Sequence, residues 1–134
     1  MSRRKPTLEE FLAMEHVPNL YIWFKSIECY MRKGKVFVDG RICTALTIAN
    51  ITNHKRRENG FYNPAHKRTG LFKRFETYVR EMSKKHGYEG VYVELVFNEF
   101  LPDVLMRYGY QRVNIRGIEG YQEQNYWFEH ERSG

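Results

Sequence analysis

Apolar residues recur along this chain with two periods, and the changes of period mark its elements. Leu8, Phe11 and Leu12 share one face of a short helix predicted over residues 6–15. Thr7 and Glu10 have the spacing of a capping box, which satisfies free amides at a helix start. His16-Val17-Pro18-Asn19 breaks that helix. The run 20–24 is apolar and aromatic, and its periodicity fits helix and strand alike. From Glu28 the pattern alternates, with Cys29 and Met31 set against Glu28, Tyr30 and Arg32. Lys33-Gly34 reads as a turn or bulge. Val36-Phe37-Val38 then runs into Asp39-Gly40, a strong two-residue hairpin signal. Residues 42–52, rich in Ile, Thr and Ala, continue as a strand, so 28–52 reads as antiparallel β structure.

Residues 53–69 are polar, hold Asn59-Gly60 and Asn63-Pro64, and read as a long loop. Such loops in small domains are often functional. Residues 71–86 form the clearest helix, with Leu71, Phe72, Phe75, Val79 and Met82 on one face. Lys84, Lys85 and His86 suit its C-terminal dipole and Gly87 stops it. A strand follows at 91–97. A second helix spans 99–108, with Pro102 in its first turn and Gly109 after it. Residues 110–114 and 121–128 read as closing strands. The fold class is therefore α/β (α+β): a mixed, mostly antiparallel sheet with flanking helices. The strand at 42–52, the helix from Leu71 and the strand from Val91 make one central βαβ crossover.

The length of 134 residues suits one domain, 1–134, and the hydrophobic content of 42% suffices for a core without disulfides. The two cysteines, Cys29 and Cys43, form no CxxC pair, which points to a reducing cytoplasm. No apolar run is long enough to cross a bilayer. Met1 to Lys5 is basic but leads into Pro6 and an acidic segment, unlike a signal peptide. The formal charge of +6 favours polyanionic ligands, including nucleic acid and phosphorylated cofactors. There is no Walker motif, no Gly-x-Ser-x-Gly elbow and no metal-ligand spacing. Lys33 to Val38 lacks the aromatics of an RNA-recognition strand.

The chemistry-bearing feature is Lys67-Arg68-Thr69-Gly70-Leu71-Phe72, where the loop becomes the long helix. Unpaired amides at a helix start, together with its dipole, make an anion site. Gly70 lets the backbone approach a pyrophosphate, and Lys67 and Arg68 add charge for its oxygens. The bland alternative is a solvated helix start with flanking charge.

Three further stretches stand in order around this turn: Ala45-Leu46-Thr47-Ile48-Ala49-Asn50-Ile51, then Val91-Tyr92-Val93-Glu94-Leu95-Val96 followed by Asn98, then Tyr108-Gly109-Tyr110 closing a helix. The stretch from Thr44 to Tyr110 resembles the acyl-coenzyme A binding half of GNAT acetyltransferases, particularly the small GNAT proteins of bacteriophages and bacteria. The resemblance covers about half the chain. It implies that two central strands splay apart and that acetyl-CoA lies between them as co-substrate. The backbone around Leu46 to Ile51, including Ile48, Ala49, Asn50 and Ile51, would hold the pantetheine arm. Lys67, Arg68, Thr69, Gly70, Leu71 and Phe72 would hold the pyrophosphate, and Asn98 would help with the arm. A primary amine of a protein or small molecule would attack the thioester directly.

Such an amine must lose a proton, so a base is needed. Glu94, His54 and His66 are the candidates, and Glu94 shares strand parity with Tyr92. The family often places a tyrosine acid seven residues after the asparagine. That position is Leu105 here, and Tyr108, near a turn later, is the substitute candidate. The loop 54–68 interleaves His54, Lys55, Arg56, Arg57, His66, Lys67 and Arg68 with Phe61 and Tyr62, a composition that also suits a nucleic-acid backbone. The second reading is therefore a GNAT-like phage protein without catalysis, acting as a structural, nucleic-acid-binding or host-protein-binding module.

Overall fold

The computed structural model describes residues 5–53, 70–94, 101–113 and 125–131. The expected loop, except its first residue, and the outer parts of the expected strands at 91–97 and 121–128 lie outside these residues. Helix α1 spans Leu8–Ala13, with the expected capping box in place. The Thr7 hydroxyl accepts from the Glu10 amide at 3.2 Å and the Glu10 carboxylate accepts from the Thr7 amide at 3.3 Å. Its other end is closed by Lys33, whose ammonium donates to the carbonyls of Phe11 at 2.7 Å and Met14 at 2.5 Å.

The ambiguous run resolves as strand β1, Asn19–Phe24, paired antiparallel with β2, Ile27–Val38. Pairing on a sheet edge selects the strand that periodicity left open. Strand β2 passes straight through Lys33-Gly34, where a turn or bulge was expected. Its ladder with β3, Arg41–Asn53, puts Lys33 opposite Leu46 and Gly34 opposite Ala45, so continuous pairing carries the backbone past the glycine. The irregularity lies elsewhere. Tyr30 faces Ala49 but Glu28 faces Thr52, so β3 carries one extra residue opposite Cys29. Asn50, in that bulge, takes a φ of 48°, which asparagine tolerates better than its β-branched neighbours. The Asp39-Gly40 turn forms as expected, with φ of 45° and 87°.

Helix α2 is Leu71–Lys85, β4 is Gly90–Val93, α3 is Leu101–Arg107, β5 is Gln111–Val113 and β6 is Asn125–Glu129. The six strands form one sheet in the order β1-β2-β3-β4-β6-β5. Among the described strands only β3 and β4 run parallel, as strands separated in sequence by a helix can. The other neighbours are antiparallel.

The three helices share one face of the sheet. Leu8 and Phe11 of α1, Phe75 and Val79 of α2 and Leu105 of α3 are buried with Ile22, Met31, Leu46, Ile48, Val91 and Val93. The opposite face has its own cluster: Val38, Cys43, Ala45, Tyr92, Val113 and Trp127. Among the described residues no helix contributes to it. Cys29 and Cys43 are both free and buried, one in each cluster.

Strand β4 is buried along its whole length, and its first residue has no room for a side chain. A Cβ on Gly90 would stand 2.0 Å from the Phe128 carbonyl oxygen and 2.6 Å from the Trp127 ring. Backbone and a packed indole cannot yield cheaply. Gly90→Ala should therefore destabilise the fold by about 2–4 kcal/mol, measured by urea denaturation.

Candidate functional site

The parallel ladder of β3 and β4 runs from Ala45 opposite Gly90 to Ile48 opposite Val93. One further bond, from the Glu94 amide to the Ile48 carbonyl at 2.9 Å, ends it. Strand β3 continues to Asn53, paired with β2 as far as Ile27 opposite Asn53. Among the described residues, Ala49 to Asn53 have a strand partner on one side only. The bulge at Asn50 lies just past the last β3–β4 pair among the described residues, and a bulge bends the strand that carries it.

Helix α2 begins at this same end of the sheet, because a crossover helix starts where its first strand finishes. Its N-cap is Gly70, in the left-handed region at φ 70° and ψ 13°, with no side-chain capping bond. Among the described residues nothing stands within 4 Å of the position a Cβ would take there. Helix α1 carries Glu9 and Glu10 in its first turn, matching its dipole. The first turn of α2 has no acid, and exposed Lys73 and Arg74 follow. Among the described residues of this first turn no acid compensates the positive helix start, which suits an anion.

Glu94 follows β4 directly. Alternation puts it with Tyr92 on the face away from the helices, as the sequence parity predicted. Its carboxylate is ion-paired with Arg32 of β2, which belongs to that face with Tyr30. The pair spans the intervening β3 above Thr47 and Ala49, whose small side chains leave room. Arg32 lies opposite Thr47, Thr47 opposite Tyr92, and Tyr30 opposite Ala49. Both charged side chains are partly exposed, 42% for Arg32 and 27% for Glu94, so the pair adds at most about 1 kcal/mol to stability. The Tyr92 hydroxyl accepts from the Asn125 amide at 2.7 Å.

Tyr108, the candidate acid, lies elsewhere. It caps the end of α3, with its amide bonded to the Val104 and Leu105 carbonyls. Burial, then the charge of Glu76, pushes its phenol up from the usual range, with Arg80 and Arg107 opposing. Among the described residues no hydrogen bond or ion pair joins it to Glu94. Leu105 is fully buried and packs as core. Beneath these residues Glu76 of α2 is almost wholly buried. Its carboxylate accepts from the Tyr110 hydroxyl at 3.0 Å and from Arg80 at 3.1 Å. This cluster locks α2 to the turn that follows α3.

No family model, curated protein or solved structure matches this chain.

Of the residues proposed for the coenzyme, Ile48 is the last β3 residue paired with β4 among the described residues, Ala49, Asn50 and Ile51 follow it on β3, and Gly70, Leu71 and Phe72 open α2. Lys67, Arg68, Thr69 and Asn98, and the histidines His54 and His66, lie outside the described residues. Among the described residues no three His, Cys, Asp or Glu side chains gather as a metal needs, and no helix is long and apolar enough to cross a membrane. Sequence reasoning missed the Arg32 partner of Glu94. Alternation put Arg32 on the polar face of its strand, but only register brings it across to β4. It also missed Glu76, whose place among the apolar positions of α2 signalled a buried charge.

Burial raises the Glu76 carboxyl above its ordinary value of 4.5, outweighing Arg80 and Tyr110, which lower it. The folded state thus holds this proton more tightly than the unfolded chain. The contribution of Glu76 to stability is largest below pH 4.5 and falls as pH rises from there through the raised value. Urea titrations from about pH 4 to 7 should show wild-type stability falling relative to Glu76→Gln across that window.

Proposed function

We propose that this chain is a GNAT-like N-acetyltransferase that moves an acetyl group from acetyl-CoA to a primary amine of a protein or small molecule. The observation that carries this reading is that, among the described residues, the β3–β4 ladder ends at Ile48, at the end of the sheet where α2 starts. Among those residues the backbone of β3 past Ile48 has no partner in β4. An extended amide-bearing arm fits such an edge as a strand would. The glycine start of α2, with no acid in its first turn, stands at the same end for phosphate oxygens. Ile48, Ala49, Asn50 and Ile51 would hold the arm, and Gly70, Leu71 and Phe72 the pyrophosphate. Lys67, Arg68, Thr69 and Asn98 complete that set on the sequence pattern.

Glu94 stands where the paired strands end and is the base in this reading. Its carboxylate takes a proton from the acceptor ammonium, and the freed nitrogen pair forms the new C–N bond at the acetyl carbonyl. The C–S bond breaks and the sulfur leaves as thiolate; the nitrogen gives up its second proton to solvent, leaving the neutral amide, and the thiolate is protonated to the thiol. Tyr108 does not accompany Glu94, so solvent is the simplest proton source for that sulfur.

The separation of Tyr108 from Glu94, with Leu105 in the core, favours a second reading in which the domain binds the coenzyme or another anion without transfer. The experiment that separates these is calorimetric titration with acetyl-CoA, followed by assay of free thiol in the presence of amines. Wild-type protein should bind, and Gly70→Glu, which puts a carboxylate on a left-handed residue at the helix start, should abolish binding while circular dichroism stays unchanged. Absence of binding at about millimolar ligand sinks both the transferase reading and its coenzyme-binding form. Binding without thiol release selects the second reading.

A further inference from the structure

We propose that Arg32 is a positioning residue for Glu94, holding its carboxylate over the break between β3 and β4. This role rests on Glu94 acting as the base described above. Arg32 belongs to β2 and Glu94 follows β4, so the two meet only by reaching across the whole width of β3. The crossing point is the last paired level of the parallel ladder, where Ile48 faces Val93 and Ala49 is the next residue. One guanidinium nitrogen of Arg32 donates to Oε2 of Glu94. In this reading Oε1 is the oxygen that takes the proton of the amine. Among the described residues Glu94 is the sole hydrogen-bond partner of Arg32, and the buried Nε of Arg32 has none. The side chain is therefore committed to this carboxylate rather than shared in a network.

The surroundings make this charge the one that matters. Among the described residues of the helix-free face, Tyr30 and Glu28 of β2, Tyr21 of β1 against Tyr30, and Tyr92 of β4 are the other titratable groups near the pair, and Thr47 and Ala49 of β3 carry no charge. Asp39 acts on Tyr92 from the hairpin turn, and Arg32 acts on Tyr92 with opposite sign. Among the described residues Arg32 is the cation of this group. Without it the partly buried Glu94 would lose that counter-charge, which favours the protonated acid, and would lose the contact that orients it.

The test compares wild type, Arg32→Met and Arg32→Lys, each checked for native folding by thermal melting. Carbon-13 titration of the glutamate carboxyls, with Glu94 assigned from Glu94→Gln, is read beside acetyl transfer from acetyl-CoA to spermidine or poly-lysine. The Glu94 resonance should titrate at higher pH in Arg32→Met than in wild type, with Arg32→Lys between them. Arg32→Met should lose about tenfold or more in kcat/KM for the amine, with the acidic limb of its pH profile moved up and acetyl-CoA binding unchanged. Arg32→Lys should recover part of the loss. A Glu94 titration or pH profile that is the same in wild type and Arg32→Met overturns the positioning role alone. Wild-type protein that fails to bind acetyl-CoA, or that binds it and acetylates neither amine, overturns Glu94's part in proton transfer and with it the role of Arg32.

Discussion

Among the described residues the parallel ladder between β3 and β4 is four residue pairs long, and the arrangement of the candidate site follows from where it ends. Two long strands, β2 and β3, pair along almost their full length and make a stiff ribbon. Strand β4, as described, joins that ribbon over Ala45 to Ile48. The bulge at Asn50 bends β3 just past the last pair, and the crossover geometry delivers the start of α2 to the same end. Backbone edge, helix dipole and the carboxylate of Glu94 thus converge without any one of them being arranged for the others. Two of the three derive from backbone geometry, so residue identity matters most at a few points: Asn50, Gly70, Glu94 and Arg32.

The two faces of the sheet do different work. The helix-covered face is apolar and supplies most of the hydrophobic stabilisation, with Phe11, Phe75, Leu105 and Tyr126 fully buried there. Among the described residues its one deep titratable group, Glu76, costs solvation that Arg80 and the Tyr110 hydroxyl offset only in part by direct bonds. The other face mixes apolar and polar groups: Ala45 and Trp127 beside Thr47, the Tyr92–Asn125 bond and the Arg32–Glu94 pair. Polar groups at that face are held by neighbours on adjacent strands, so their geometry is set by sheet register rather than by loop conformation.

Much of this fold is legible in the sequence where local chemistry decides. The capping box of Thr7 and Glu10, the Asp39-Gly40 turn and the apolar stripe of α2 are each specified within a few residues, and each forms as read. The coarse class, an α+β fold with a mostly antiparallel sheet, follows from the order of those elements. What local chemistry leaves open is decided by partners distant in sequence. The run at Leu20 is a strand because β2 is there to pair with it. Lys33-Gly34 stays extended because Leu46 and Ala45 lie opposite, against a turn propensity that glycine confers in isolation. At the site, the parity of Glu94 was readable from Tyr92, but its pairing with Arg32 depends on two register assignments that no single stretch contains. The separation of Tyr108 from Glu94 is likewise a property of how α3 packs against α2.

The position of β6 has a consequence for how the chain reaches this structure. Strand β6 lies between β4 and β5, although it is the last strand described in the sequence. Until it arrives, β4 is an edge strand whose four residues are all apolar or aromatic apart from glycine, without the charges or prolines that discourage edge pairing. The indole of Trp127 closing over Gly90 is therefore also the event that ends this exposure. During synthesis the central crossover can form only as an incomplete sheet, vulnerable to pairing with another chain, and the C-terminal segment acts as its sealing strip.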